Sequence, residues 1–225
     1  MAPSAGNWST YVYIPTDGLS TSEAVLNKKI EKGLATRQEI VETASRLFAT
    51  LGYEATSIEA VLRECDVSRG ALYHHFSCKE ALFEAVFEAL EAEVAQSIRA
   101  GSGDAGDAIA ALRAGCDAWL ELARDGAVRQ IILIDAPSVL GWEKWRAIDA
   151  RHGFGLLKAA LSAASATGAV PEALVETFAH MLLAALIEVA MMIARAQDPD
   201  AAVRLGKTAV QDLLTRILLR DRPAS

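Results

Sequence analysis

Three hydrogen-bonding tips crowd into the six residues Arg69 to His74: a guanidinium at Arg69, a phenol at Tyr73 and an imidazole at His74. Lys79 adds an ammonium shortly afterwards. Donors of this kind recognise phosphate oxygens and base edges, and none of them sits in an arrangement that breaks bonds. The chain has no G-x-S-x-G elbow, Walker loop, H-E-x-x-H pair or dinucleotide fingerprint, so no catalytic residue is assigned. Neighbouring helical residues diverge by about 100°, so His74 and His75 make no metal pair. The three cysteines, Cys65, Cys78 and Cys116, are odd in number and lack metal-ligand spacing. They suit a reducing compartment and read first as small apolar fillers, with thiol sensing second. No metal or cofactor is expected.

Two short amphipathic segments hold those tips. Ile58, Val61, Leu62 and Cys65 repeat at i, i+3, i+4 and i+7, and Thr56 with Glu59 reads as a capping box, predicting a helix over about 57–64. Asp66 then falls in the turn, where a left-handed backbone is expected. Ser68 caps a second helix over 69–75, with Leu72 and Phe76 inward. Gly70, Tyr73 and His74 point outward, and Arg69 sits in the first turn beside free N–H groups. A glycine inside a helix costs roughly 1 kcal/mol relative to alanine, so Gly70 suggests a close backbone approach to something. Ser77 and Glu80 form another capping box, which puts Lys79 in the first turn of a third helix, where N–H groups and a positive charge can hold a phosphate. The arrangement is a tight helix-turn-helix, a DNA-reading shape.

The runs GYEATS and DVSRGALYHHFSCKEALF resemble the TetR family of bacterial transcriptional repressors, and the resemblance extends from Thr36 to about Leu90. Its most specific part is YHHF followed by Lys79-Glu80. The resemblance implies that the second helix of the motif enters the major groove, with Arg69, Gly70, Ala71, Tyr73 and His74 facing it. It also implies phosphate contacts from Thr56, Ser57, Tyr73 and Lys79, and Ser68, as the cap, joins the DNA-binding set. Two departures stand out. Cys65-Asp66 replaces the family's usual Ala-Gly, and residues 1–90 hold 8 Lys and Arg against 12 Asp and Glu, a net charge of −4 that is unlike a basic footprint.

A chain of 225 residues with 52% hydrophobic residues and 6 prolines has ample material for a buried core. Trains of Ala, Leu, Glu and Arg without alternating β-branched runs predict an all-α protein. Residues 1–32 read as an extension: a tail in which residues 11–14 could pair as a strand, then a basic helix opened by Ser20 and Glu23. Its Lys28, Lys29 and Lys32 are either a solvated face or an arm reaching phosphates. Residues 33–80 form the helix-turn-helix module, whose first helix carries Ile40, Ala44, Leu47, Phe48 and Leu51 and ends at Gly52. A long helix from residue 78 to about 100 joins it to a helical effector-binding and dimerisation domain spanning 81–225. Further helices are expected near 105–124, 127–136, 142–167, 171–197 and 200–220. The N-terminus lacks the pattern of a secretory signal, and the run Met181 to Ala194, interrupted by Glu188, reads as too short to span a bilayer. A bacterial cytoplasmic protein without a membrane partner is expected.

The last two helices are the most apolar. Phe178, Met181, Leu182, Ala185, Val189 and Met192 stripe one, and Val210, Leu213, Leu214 and Ile217 the other, which suits a homodimer closed by a four-helix bundle. Between rod and dimer helices, Trp119, Trp142, Trp145 and Phe154 concentrate aromatic area, with Arg113, Cys116, His152 and His180 as candidate polar contacts to a small hydrophobic or aromatic effector. Glu188, an acid amid LLAALIEVAMMIA, caps that pocket, pairs across the dimer or faces solvent. These features predict a dimeric, ligand-responsive DNA-binding regulator, most simply a repressor released from a palindromic operator. A helical scaffold or a small-molecule-binding protein or enzyme that no longer binds DNA stays open as the alternative.

Overall fold

Alanine, leucine, glutamate and arginine are common along the chain, and helix is the only regular structure in the computed structural model, which describes residues 21–103 and 106–218. The expected strand at 11–14 and the cap at Ser20 lie outside the described residues.

α1 runs Thr21–Ala55 as one helix where two were expected. Gly33 does not stop it, because no proline follows and a lone glycine costs only about 1 kcal/mol. The boundary drawn after residue 32 therefore falls inside continuous helix, and Lys28, Lys29 and Lys32 stand exposed along its early turns. Gly52 does interrupt the helix. Its φ of 81° and ψ of 168° are open to glycine, and they free the next N–H from the helical ladder.

α2 (Ile58–Glu64), α3 (Arg69–His75) and α4 (Lys79–Ser102) follow as expected, with three local corrections. Ser57, not Thr56, is the cap of α2, its Oγ accepting from the Ala60 N–H at 3.1 Å. The turn uses no left-handed Asp66: among the described residues only glycines have positive φ. Instead Cys65 closes α2 in extended conformation and tucks its side chain inward, while the Asp66 N–H donates to Glu39 Oε1 at 3.2 Å. Cys78 rather than Ser77 occupies the cap position of α4, without a side-chain hydrogen bond. Leu72 and Phe76 are buried with Ile40, Ala44 and Phe48, and Phe83 from the rod stands edge-on to Phe48 and Tyr53, each at 5.1 Å between ring centroids. A single hydrophobic core runs from this module along α4 into the rest of the molecule.

The body consists of α5 (Ala108–Leu122), a π-helical stretch (Val128–Asp135), α6 (Ala136–Arg151), α7 (Gly153–Ala166), a 3-10 turn (Glu172–Leu174), α8 (Val175–Ala194) and α9 (Pro199–Leu218). The helix expected over 142–167 is two. It breaks at His152, with φ −119° and ψ −93°. Its expected start at 142 coincides with a kink at Gly141, whose φ of 74° and ψ of 163° separate it from the short piece 136–140, where Pro137 sits in the first turn and its missing N–H is harmless. α5 is central, packing against α4, α7, α8 and α9. With the 3-10 turn, Glu172–Ala194 is long and apolar enough to cross a membrane by length and composition, which the shorter run from Met181 did not suggest. Here one face of it, Val175, Ala179, Leu182, Leu186, Ala190 and Ile193, lies in the core.

Candidate nucleic-acid interface and ligand cavity

α3 is held from behind by Leu72 and capped by Ser68, whose Oγ accepts from the Ala71 N–H at 3.2 Å. Arg69, Gly70, Tyr73 and His74 are exposed on its outer side with Ser57 and Ser68, while Ala71 is half-buried. A Cβ placed on Gly70 would meet only Ser68 Oγ, at 4.0 Å, so no internal packing accounts for the glycine. Arg69 Nη2 lies 2.9 Å from Glu59 Oε1 in an exposed pair, and the Glu59 carboxyl is held below its usual range by a backbone N–H and by Arg69. Reaching a base edge would require Arg69 to leave that carboxylate.

Two expected phosphate contacts stand differently. Thr56 is 1% exposed and its hydroxyl donates to the Gly52 carbonyl at 2.8 Å, because the glycine kink leaves that oxygen unpaired. The Lys79 ammonium is half-buried, donating to the carbonyls of Tyr53 at 2.9 Å and Thr56 at 3.1 Å and lying 4.0 Å from the Tyr53 ring centroid. One donor of its three remains for a phosphate.

Tyr53 is also tied from the other side. Its N–H, freed by Gly52, donates to Asp135 Oδ2 at 2.8 Å, at the end of the π-helical stretch. Lys144 adds surface pairs to Glu80 and Glu84 on the rod. The backbone of Tyr53 is thus tied at once to the start of the rod and to the π-helical stretch on which α1 packs.

Behind that joint lies a cavity of about 480 Å³ between α4, α5, α6, α7, α8 and the π-helical stretch. Of the expected ligand contacts, Cys116, Trp119, Trp142 and Trp145 line it, with Trp142 exposed and the other two tryptophans largely buried. The others do not. Arg113 is pinned to α9, donating to the Gln211 carbonyl and Oε1 and to Thr215 Oγ1. Phe154 stacks on His180 at 4.6 Å beneath Arg146, outside the lining, and His152 sits at the α6–α7 break. Glu188 is exposed on the far face of α8, so it caps nothing, and it forms no ion pair among the described residues. Burial pushes the Cys116 thiol up to about 12 and also raises Cys65, which leaves both unreactive near neutrality.

The acidic lining residues escaped the sequence reading: Glu91 and Asp149, at 4% and 5% exposure. The signal was there: Glu91 lies four residues after Phe87 and three before Val94, on an otherwise apolar stripe. Burial, with Asp149 adding repulsion, pushes the Glu91 carboxyl up to about 8. Asp149 is raised by burial against the opposing pull of Arg146, whose Nη1 lies 2.8 Å from its Oδ2.

The dimer stripe divides in the folded chain. Leu182, Val210 and Leu214 are buried within the protomer, so a partner cannot reach them. Met181, Met192 and Leu213 are exposed, Phe178, Ala185, Val189 and Ile217 are half-buried, and Leu205, unforeseen, is 69% exposed.

Residues 40–86 match the family described as bacterial regulatory proteins of the tetR family, and residues 109–223 match a tetracyclin repressor-like C-terminal domain. The fold is similar to the crystal structure of a TetR-family transcriptional regulator from Pectobacterium atrosepticum, at 32% identity and a TM-score of 0.72, covering 85% of this chain and 98% of that one. It is also similar to AibR, solved in complex with isovaleryl coenzyme A and operator DNA, at 26% identity and a TM-score of 0.57 over 81% of this chain and 98% of that one. Among curated proteins, the repressor AcnR of Corynebacterium efficiens is 40% identical over 68 residues, which are 30% of this chain and 36% of that one. The chain thus spans about a third of that relative's length.

Proposed function

The chain belongs to the TetR family of bacterial transcriptional regulators, and from that premise we propose that it is a dimeric repressor, released from a palindromic operator when a small, largely hydrophobic effector fills the cavity. Two copies of α3 would enter successive major grooves, about 34 Å apart, with Ser57 and Tyr73 on phosphates and Arg69 and His74 at base edges. The partner would cover the outward face of α8 and α9, where Met181, Ala185, Glu188 and Met192 follow one another at helical spacing beside Leu205 and Leu213. The protein would act in the bacterial cytoplasm.

The observation that carries this reading is the joint at Tyr53. Ile132 and Leu133 of the π-helical stretch line the cavity, and Asp135 at its end holds the Tyr53 N–H, while Lys79 at the start of the rod holds the Tyr53 carbonyl. A ligand that pushes on the cavity wall acts on the base of the reading module through two hydrogen bonds. It weakens DNA binding only by its own differential affinity for the two shapes. The acidic N-terminal balance is consistent with binding through a few placed contacts and helix N-termini.

The test is fluorescence anisotropy on duplex DNA from beside the chain's own gene, against scrambled duplex, at two salt concentrations. Specific binding that weakens steeply with salt is expected. Equal or absent binding on both duplexes would favour the scaffold or enzyme reading. For the joint, Asp135→Ala is expected to lower stability by about 1–3 kcal/mol, because the Tyr53 N–H loses a charged acceptor. Asp135→Asn keeps an acceptor oxygen and should recover most of that loss in denaturant unfolding. Equal behaviour of the two variants would remove Asp135 from the joint.

A further inference from the structure

Glu91 lines the cavity with 4% of its surface exposed, and no hydrogen bond or ion pair to it occurs among the described residues. Its oxygens are not among the fully enclosed side-chain atoms that lack a partner, which among the described residues are Trp119 Nε1, Trp145 Nε1 and His152 Nε2; they open onto the cavity. Glu91 Oε2 stands 3.5 Å from the point a Cβ on Gly153 would occupy, and Gly153 is itself a lining residue.

The neighbouring elements supply no cation to it. α6 brings Asp149, a second acid, and Arg146 is committed to that acid. His152, at the α6–α7 break, and His180, on α8, bear on Asp149 rather than on Glu91. α5 presents Cys116 and Trp119 to the cavity, and the π-helical stretch presents Ile132 and Leu133. Asp149 is already satisfied, by Arg146 and by the Phe154 N–H at 3.2 Å. One acid in an apolar chamber is left without a partner.

We propose that the cavity takes a hydrophobic organic cation, an ammonium whose positive nitrogen seats against the Glu91 carboxylate while its apolar remainder packs on Trp119, Trp145 and the aliphatic wall. This rests on reading the cavity as the effector site. A buried acid without a cation keeps its proton, and a ligand that brings the opposite charge gains both a desolvated ion pair and the faces of the indoles. A neutral phenol or alcohol gains only a hydrogen bond. Cation binding releases the Glu91 proton to solvent, so below the pKa of that carboxyl, about 8, the affinity falls about tenfold per pH unit.

The test uses the full chain and a pair of probes of nearly equal shape, benzyltrimethylammonium and its neutral carbon isostere neopentylbenzene, followed by tryptophan fluorescence. Above the Glu91 pKa the cation should bind at least about tenfold more tightly, and that preference should fade on acidification. Glu91→Gln, isosteric with the protonated acid, should still bind the neutral probe but lose both the preference and its pH dependence. Equal affinities in the parent chain, or an unchanged preference in Glu91→Gln, would overturn the cation and leave the cavity as a neutral-ligand site. Binding of neither probe would overturn the effector-site reading with it.

Discussion

Gly70→Leu should unfold no more easily than the parent chain and yet lose at least about tenfold in affinity for operator DNA. The two halves of that expectation come from different observations. Apart from its chain neighbours and its own helix backbone, only Ser68 Oγ comes within 4 Å of a Cβ at this position, so a side chain has room, and replacing a helical glycine stabilises by up to about 1 kcal/mol. The side chain would stand on the outer surface of α3 between Arg69 and Tyr73, where the proposal puts the DNA backbone and base edges. A loss of about 1.4 kcal/mol in contacts is already tenfold. Tyr73→Ala is the companion, truncating a 44% exposed phenol that makes no internal hydrogen bond among the described residues. Thermal unfolding and anisotropy on the same preparations separate stability from binding. Full affinity in both variants would remove α3 from the DNA interface. Lys79→Ala is a poorer probe, because its ammonium already satisfies the Tyr53 and Thr56 carbonyls and its loss would loosen the module itself.

Glu91→Gln should stabilise the protein, and by an amount that grows with pH. The ordinary value for this carboxyl is 4.5, and in the folded chain burial and Asp149 push it up to about 8. Between those values the folded state holds a proton that the unfolded state has released. Stability therefore falls as pH rises from 4.5, at up to about 1.4 kcal/mol per unit, and levels off above the folded value. Glutamine carries no such dependence. The gain from the substitution should be near zero at about pH 4.5 and reach the order of a few kcal/mol above about pH 8. Denaturant unfolding of the two proteins across that range measures it, and a difference that stays constant with pH would show that Glu91 is not ionised at the expense of folding.

Glu91 lies on α4, the rod whose start, at Lys79, holds the Tyr53 carbonyl.

What the sequence determined by itself was the short-range chemistry. The apolar spacing of Ile58, Val61 and Leu62, the cap at Ser68 and the outward set Arg69, Gly70, Tyr73 and His74 depend on neighbours within a turn or two, and the structure places them as the spacing required. Errors at that range were single-residue ones, such as the cap at Ser57 instead of Thr56. The cavity was only partly legible. Aromatic density pointed to Trp119, Trp142 and Trp145, but periodicity tells which face of a helix is apolar and not what covers it. Tertiary packing alone decided that Arg113 belongs to Gln211 and Thr215, that Leu182 is covered within its own protomer while Met181 is not, and that Glu188 faces outward. It alone brought Glu91 beside Asp149 and Tyr53 to Asp135, 82 positions away. Such partners meet only when separate helices pack, so local sequence carries the helix and the fold assigns its neighbours.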